Sequence, residues 1–212
     1  MGAYSKVLKV GVAAASVNSV SLTQSLAAAG PLLLNGTTKG IFTYATQLLF
    51  TFAGNETGHS FIVTGTLSNG QTTTETVAGN NGSTANSVNN FLTVTSITGP
   101  ITASTLQVGT NAVGESPTMI VDRFINPAII SVGAVVTGTI SYTVEYSLDG
   151  WGASGYDLVN NVSTWWPVSA LNAQTTSITT TIQGPVSMLK IVQLSGTGLV
   201  TTSILTPMGN IG

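Results

Sequence analysis

The chain has 212 residues, of which 5 are Lys or Arg, 7 are Asp or Glu and one is His. Only 6% is therefore charged, against about 25% in an ordinary globular domain. The absence of cysteine excludes disulfides, thiolate catalysis and Cys-type zinc sites, and a net charge of −2 offers no basic footprint for nucleic acid.

Threonine occurs 34 times, so hydroxyls and amides must do most of the solvating. Thr and Val are β-branched and favour strands, which biases the chain towards an all-β fold. A surface with so few charges is poorly protected against self-association. Either much of it is covered in an assembly, which is the weightier explanation, or Thr, Asn and Ser solvation suffices.

Residues 1–40 read as an extended N-terminal arm with one or two strands, ending in the turn-rich NGTTKG of 35–40. Lys6 and Lys9 before VGVAAASV, with AAAG at 27–30, have the outline of a secretory signal, but Asn18, Ser19, Thr23 and Gln24 interrupt the apolar run. No apolar run reaches the ~20 residues that span a bilayer, so a soluble protein with its N-terminus tied down by contacts is expected.

Strands are then expected near 41–52, 59–68, 71–78, 91–98 and 102–109, with a long loop over 78–90. In FIVTGTLSNGQTTTETV (61–77) Phe61, Val63 and Leu67 contribute an apolar face, Thr lines the other, and Glu75 is the only charge. Asn69-Gly70 marks a hairpin with a tight primed turn, which needs positive φ at both central positions.

GTNAVGESP (109–117) reads as a linker. Beyond it, strands are expected near 118–124, 129–136, 139–148, 163–169, 175–183, 187–194 and 198–206, with a loop at DGWGASGYD (149–157). Only the Ala-rich 12–29 hints at helix, and there no more than two or three turns. The fold class expected is all-β, with two tandem small β-sandwich domains of Greek-key or jelly-roll type. The first covers 41–112 with part of the arm, and the second covers 117–212. SFIVTGTLSNG (60–70) resembles SYTVEYSLDG (141–150), and SITGP (96–100) resembles TIQGP (181–185). Internal duplication and the shared habits of Thr-rich strands both account for this.

Chemistry-bearing patterns are scarce. His59 is the only histidine, so one chain assembles no His-based metal cluster or catalytic pair; a turn residue opening a strand is the plainer reading. Of the carboxylates only Asp149 and Asp157 lie close together, flanking a Gly-rich loop that carboxylate and carbonyl oxygens would suit to Ca²⁺, though without EF-hand spacing. No GxSxG elbow, phosphate loop or dinucleotide fingerprint is present. The four Asn-x-Ser/Thr sequons match chance for 15 Asn in so hydroxyl-rich a chain. No cofactor, metal or catalytic residue is expected, and no enzyme. Tyr142, Tyr146, Trp151, Tyr156, Trp165 and Trp166 fall close together and include every Trp. They read as core plus an interface built on Trp151, Tyr156, Trp165 and Trp166, or as a stacking platform for a sugar.

LAAAGPLLLNGT (26–37), FTFAGNETGHSFIVTGTLSNGQTTTETVAGNNGST (50–84) and FLTVTSITGPITASTLQVGTNAVGESP (91–117) resemble a family of tailed-bacteriophage virion proteins. VVTGTISYTVEYSLDG and the following TWWP look similar too. The resemblance covers most of the chain, and its motifs are architectural, so it carries over no catalytic residue. It implies a non-enzymatic virion component. The leading expectation is a capsid cement or decoration protein on the outer capsid surface, assembled in the host cytoplasm. Its partners would be the major capsid protein and itself, as a homotrimer, with neither nucleic acid nor membrane. The alternatives are a tail, head–tail connector or fibre-base component, and a carbohydrate-binding host-attachment module.

Overall fold

The computed structural model describes residues 4–121, 129–148, 164–184 and 186–206. It is all-β, and the only helical element among the described residues is a single 3-10 turn, Ser169–Leu171. The chain divides into two compact units. A hairpin unit comprises Ala13–Gly114, and a composite unit joins Met1–Val12 to Glu115–Gly212.

The segment expected as an arm supplies strands to both. β1 (Tyr4–Val10) belongs to the composite unit, whereas β2 (Ser16–Gln24) and the two-residue β3 (Gly30–Pro31) belong to the hairpin unit. The Ala-rich 12–29 holds no helix.

The hairpin unit continues with β4 (Ile41–Phe52), β5 (Ser60–Leu67), β6 (Thr72–Ala78), β7 (Thr84–Gly99) and β8 (Leu106–Glu115). Their sheet order is β8-β4-β7-β5-β6, with β2 on β8 and β3 on β7. Successive side chains of a strand face opposite sides, so Leu48, Phe50 and Phe52 of β4 and Phe61 and Val63 of β5 all point into one core, and Leu67 of β5 is buried on the same side of its strand. The rings of Phe50, Phe52 and Phe61 sit 5.4–6.3 Å apart, within the range for favourable aromatic pairs. Val20 of β2 and Leu32 close the core from the N-terminal segment.

Three local expectations are corrected here. At the β5–β6 hairpin only Gly70 has positive φ, 82°. Gly70 N–H donates to Leu67 O and Leu67 N–H to Gln71 O. The loop is thus the three residues Ser68-Asn69-Gly70, a type I turn closed by a left-handed glycine, in place of a two-residue primed turn. Second, the loop expected over 78–90 is mostly strand, because β7 starts at Thr84 and absorbs a bulge opposite β4. Ser87 Oγ accepts from Leu48 N–H there, replacing a lost ladder bond. Third, the expected linker 109–117 is largely strand β8. Gly109 is not a flexible joint: a Cβ there would lie 1.7 Å from Ser16 O, so β2 crosses against it too closely for any side chain.

The composite unit holds β1 with β9 (Met119–Ile120), β10 (Ile129–Thr137), β11 (Ile140–Ser147), β12 (Trp166–Pro167), β13 (Ile178–Gln183), β14 (Met188–Gly196) and β15 (Leu199–Thr206). One antiparallel sheet has the order β1-β15-β10-β13; in the other, β11 lies between β12 and β14, and β9 pairs with β14. Leu8, Val10, Val132, Ala134, Val200 and Ile204 bury from the first sheet, and Tyr142, Val144, Leu189 and Ile191 from the second. The two segment likenesses do not occupy equivalent places. β5 and β7 pair directly, whereas β11 and β13 lie in different sheets.

Candidate functional site

Of the four expected interface residues, Trp151 and Tyr156 lie outside the described residues, as do Asp149 and Asp157. The other two, Trp165 and Trp166, each find a different neighbour. β11 pairs with β14 so that Glu145 faces Lys190, and with β12 so that Tyr146 faces Trp166 and Glu145 faces Pro167. Because successive side chains alternate, Lys190, Glu145 and Trp165 gather on one face of the sheet and Tyr146 and Trp166 on the other.

Lys190 Nζ lies 2.9 Å from Glu115 Oε2, 3.5 Å from Glu145 Oε2 and 4.6 Å from the centre of the Trp165 ring. Lys190 and Glu115 are mostly buried, at 14% and 13% side-chain exposure. A lysine so placed gains from both carboxylates and from the negative face of the indole, with less water competing than at an open surface. The ring of Trp166 tilts against Tyr146 at 6.0 Å and keeps 37% of its surface exposed. Tyr142 has a different role. It is fully buried, its hydroxyl donates to Thr176 O, and burial raises its pKa. It is core and offers nothing to a ligand.

Beside Tyr146 runs a groove of about 480 Å³, lined by Leu148, Pro167–Ala170, Thr180–Gly184 and Val186. Among the described residues its walls are apolar, hydroxylic or amide, and no lining side chain is charged. A volume of this size falls within the ~300–1,000 Å³ of sites that take small ligands.

A second cluster, which sequence reasoning missed, lies in the hairpin unit. The AGNETG loop folds against the neighbouring AGNNGS loop through Glu56 N–H to Asn80 O and Gly82 N–H to Gly54 O. This tucks the Glu56 side chain completely out of solvent. Its Oε1 accepts from Ser104 N–H at 2.7 Å and Ser104 Oγ at 2.8 Å, and its Oε2 lies 2.7 Å from His59 Nδ1. Burial alone would raise its pKa, but the hydrogen bonds from Ser104 and His59 outweigh that and hold it below the ordinary carboxylate value.

The order of these groups matters chemically. Nucleophilic hydrolysis needs the hydroxyl bonded to the imidazole and the imidazole to the carboxylate. Here the carboxylate stands in the middle and takes the Ser104 proton donor itself, so the cluster bolts three loops together. His59, expected as a plain turn residue, is part of that bolt.

Glu75 is a third carboxylate with an assigned task. It accepts from the backbone N–H groups of Val88 and Asn89, the latter at 2.9 Å, where the β7 bulge leaves donors without ladder partners. Among the described residues no three His, Asp or Glu side chains gather as a metal site, and no helix is long and apolar enough to cross a membrane. No protein-family model matches the sequence, and a search of curated proteins finds no match.

Proposed function

We propose that this protein is a non-enzymatic virion structural protein, a cement or decoration protein that stabilises an assembled phage head. The observation that carries the reading is the outer face of the β1-β15-β10-β13 sheet. Val7, Val135 and Leu205 stand exposed there among Ser203, Ser131 and Thr181, and Lys9 is its only charged residue. A sheet face mixing apolar and hydroxyl groups suits permanent contact with other protein, and such contact depends little on charges that salt screens. The resemblance of residues 26–117 to phage virion proteins supports the same reading, as does the scarcity of groups able to do chemistry.

The two units would each act as a small sandwich-like contact module. A ligand that binds only the assembled lattice stabilises it by mass action, and two or more weak contacts per molecule sum to firm attachment.

The test is copy number in purified particles, measured against the major capsid protein. A decoration role expects at least one copy for every few capsid subunits, and particles stripped of the protein should burst at lower temperature. A handful of copies per particle would replace this reading with a connector or tail role. Absence from the particle would leave glycan binding at Trp166, checked on a glycan array with Trp166→Ala as control.

A further inference from the structure

We propose that β13 is a contact edge between two copies of this chain, paired antiparallel about a twofold axis through Thr180. One edge of β13 borders the groove beside Tyr146. It is lined by five consecutive residues, Thr180 to Gly184. Its other wall is Tyr146, Leu148 and Pro167–Ala170. β10 occupies the other edge of β13, and among the described residues nothing pairs with this one. The groove is the open space beside an unpaired row of backbone groups.

Edge strands are normally guarded by charge, proline, a bulge or shortness. The opposite edge of the same sheet, β1, carries Lys6 and Lys9. β12 is two residues long and contains Pro167. β13 has none of these devices: Ile178–Gln183 holds no charged residue and no proline, and its register with β10 is unbroken over six pairs. None of the described residues lining the groove is charged either, so these would meet in two copies without like-charge opposition.

The occupant is read from the strand's own sequence. Ile178-Thr179-Thr180-Thr181-Ile182 reads the same in both directions. Antiparallel pairing centred on Thr180 sets Ile178 opposite Ile182 of the second copy, Thr179 opposite Thr181, and Thr180 opposite itself. Ile178, Thr180 and Ile182 face the core side, while Thr179 and Thr181 are exposed. The pairing thus extends the apolar layer with isoleucine pairs and the outer face with Thr–Thr pairs, both favourable across strands. A symmetric contact of this kind closes on itself as a dimer. It makes no trimer, so a threefold assembly would need another surface.

The experiment uses the full chain in sedimentation equilibrium over a hundredfold range of concentration. Wild type is expected to form dimers. A Thr179→Lys/Thr181→Lys variant, changed only at exposed positions, sets lysine against lysine and should associate at least a hundredfold more weakly. A Thr179→Glu/Thr181→Glu variant should do the same. Mixing the two variants should restore the dimer as a heterodimer, which an unfolded chain would not do. A wild type that stays monomeric overturns the proposal. So does a lysine variant that keeps the wild-type association, or a mixture that does not associate. The result does not depend on the copy number in particles, so this inference and the proposed function stand or fall separately.

Discussion

The two units dispose their few carboxylates in opposite ways. In the hairpin unit Glu56 and Glu75 both accept from backbone N–H groups, Glu56 from Ser104 and Glu75 from Val88 and Asn89. In the composite unit Glu115 and Glu145 converge on a side chain, Lys190. The first arrangement repairs places where loops and a bulge leave the backbone short of partners. The second ties three strands together by charge. The same contrast shows in the edge strands. β6, TTTETVA, carries Glu75, whereas β13, ITTTIQ, carries no charge. Where a carboxylate is absent, the edge is open to a partner.

The largest break in this comparison should come from Glu56→Ala. It removes the acceptor of the two part-buried Ser104 donors, each costing about 1–3 kcal/mol, while His59, a third exposed, turns to water, so a loss of about 2–4 kcal/mol is expected in denaturant unfolding. The acid response sharpens it further. Glu56 binds its proton less readily folded than unfolded, so its stabilisation is complete above the unfolded carboxylate value of about 4.3 and is lost as pH falls from there through its lower folded value. Thermal midpoints between neutral and acid pH should therefore fall more steeply in wild type than in Glu56→Gln.

Next in size is Lys190→Met, which keeps the packing of the stem but leaves Glu115 and Glu145 facing each other. A cost of about 1–3 kcal/mol is expected, between an exposed and a fully buried ion pair. Added salt should narrow the gap between this variant and wild type, because screening weakens what the lysine supplied, while the Glu56 effect should persist. Glu75→Gln should cost least, about 1 kcal/mol, since one amide oxygen still accepts while the second bulge donor turns to water. If all three variants showed equal salt sensitivity, the distinction between backbone repair and charge tie would fail.

Much of the strand pattern was legible in advance. β4, β5, β6, β10, β11 and β15 fall within a residue or two of expectation, because alternation with β-branched residues is a local signal. The errors share a cause. Glycine and asparagine at 79–90 and 109–114 read as loop punctuation, yet Gly109 is needed because β2 passes close over it and Ser87 because the β7 bulge needs an acceptor. Those needs arise from distant chain. The candidate site was half legible for the same reason. Trp165 and Trp166 stood out by composition, but the bond from Lys190 to Glu115 joins residues 75 apart, and nothing local to either announces it. Glu56 and Ser104 were as well hidden, in loops far apart in sequence.

The pairing of β1 with β15 sets an order of events during synthesis. Val10 must wait for Val200 before its ladder can form, whereas every strand of the hairpin unit is already made when the chain reaches residue 115. At about 5–20 residues per second, the interval is on the order of ten seconds or more. Throughout it the first strand waits with Leu8 and Val10 uncovered, and Lys6 and Lys9 oppose its capture by a neighbouring nascent chain. The hairpin unit has no such wait, and its early closure leaves one segment, not a whole chain, for a chaperone to shield.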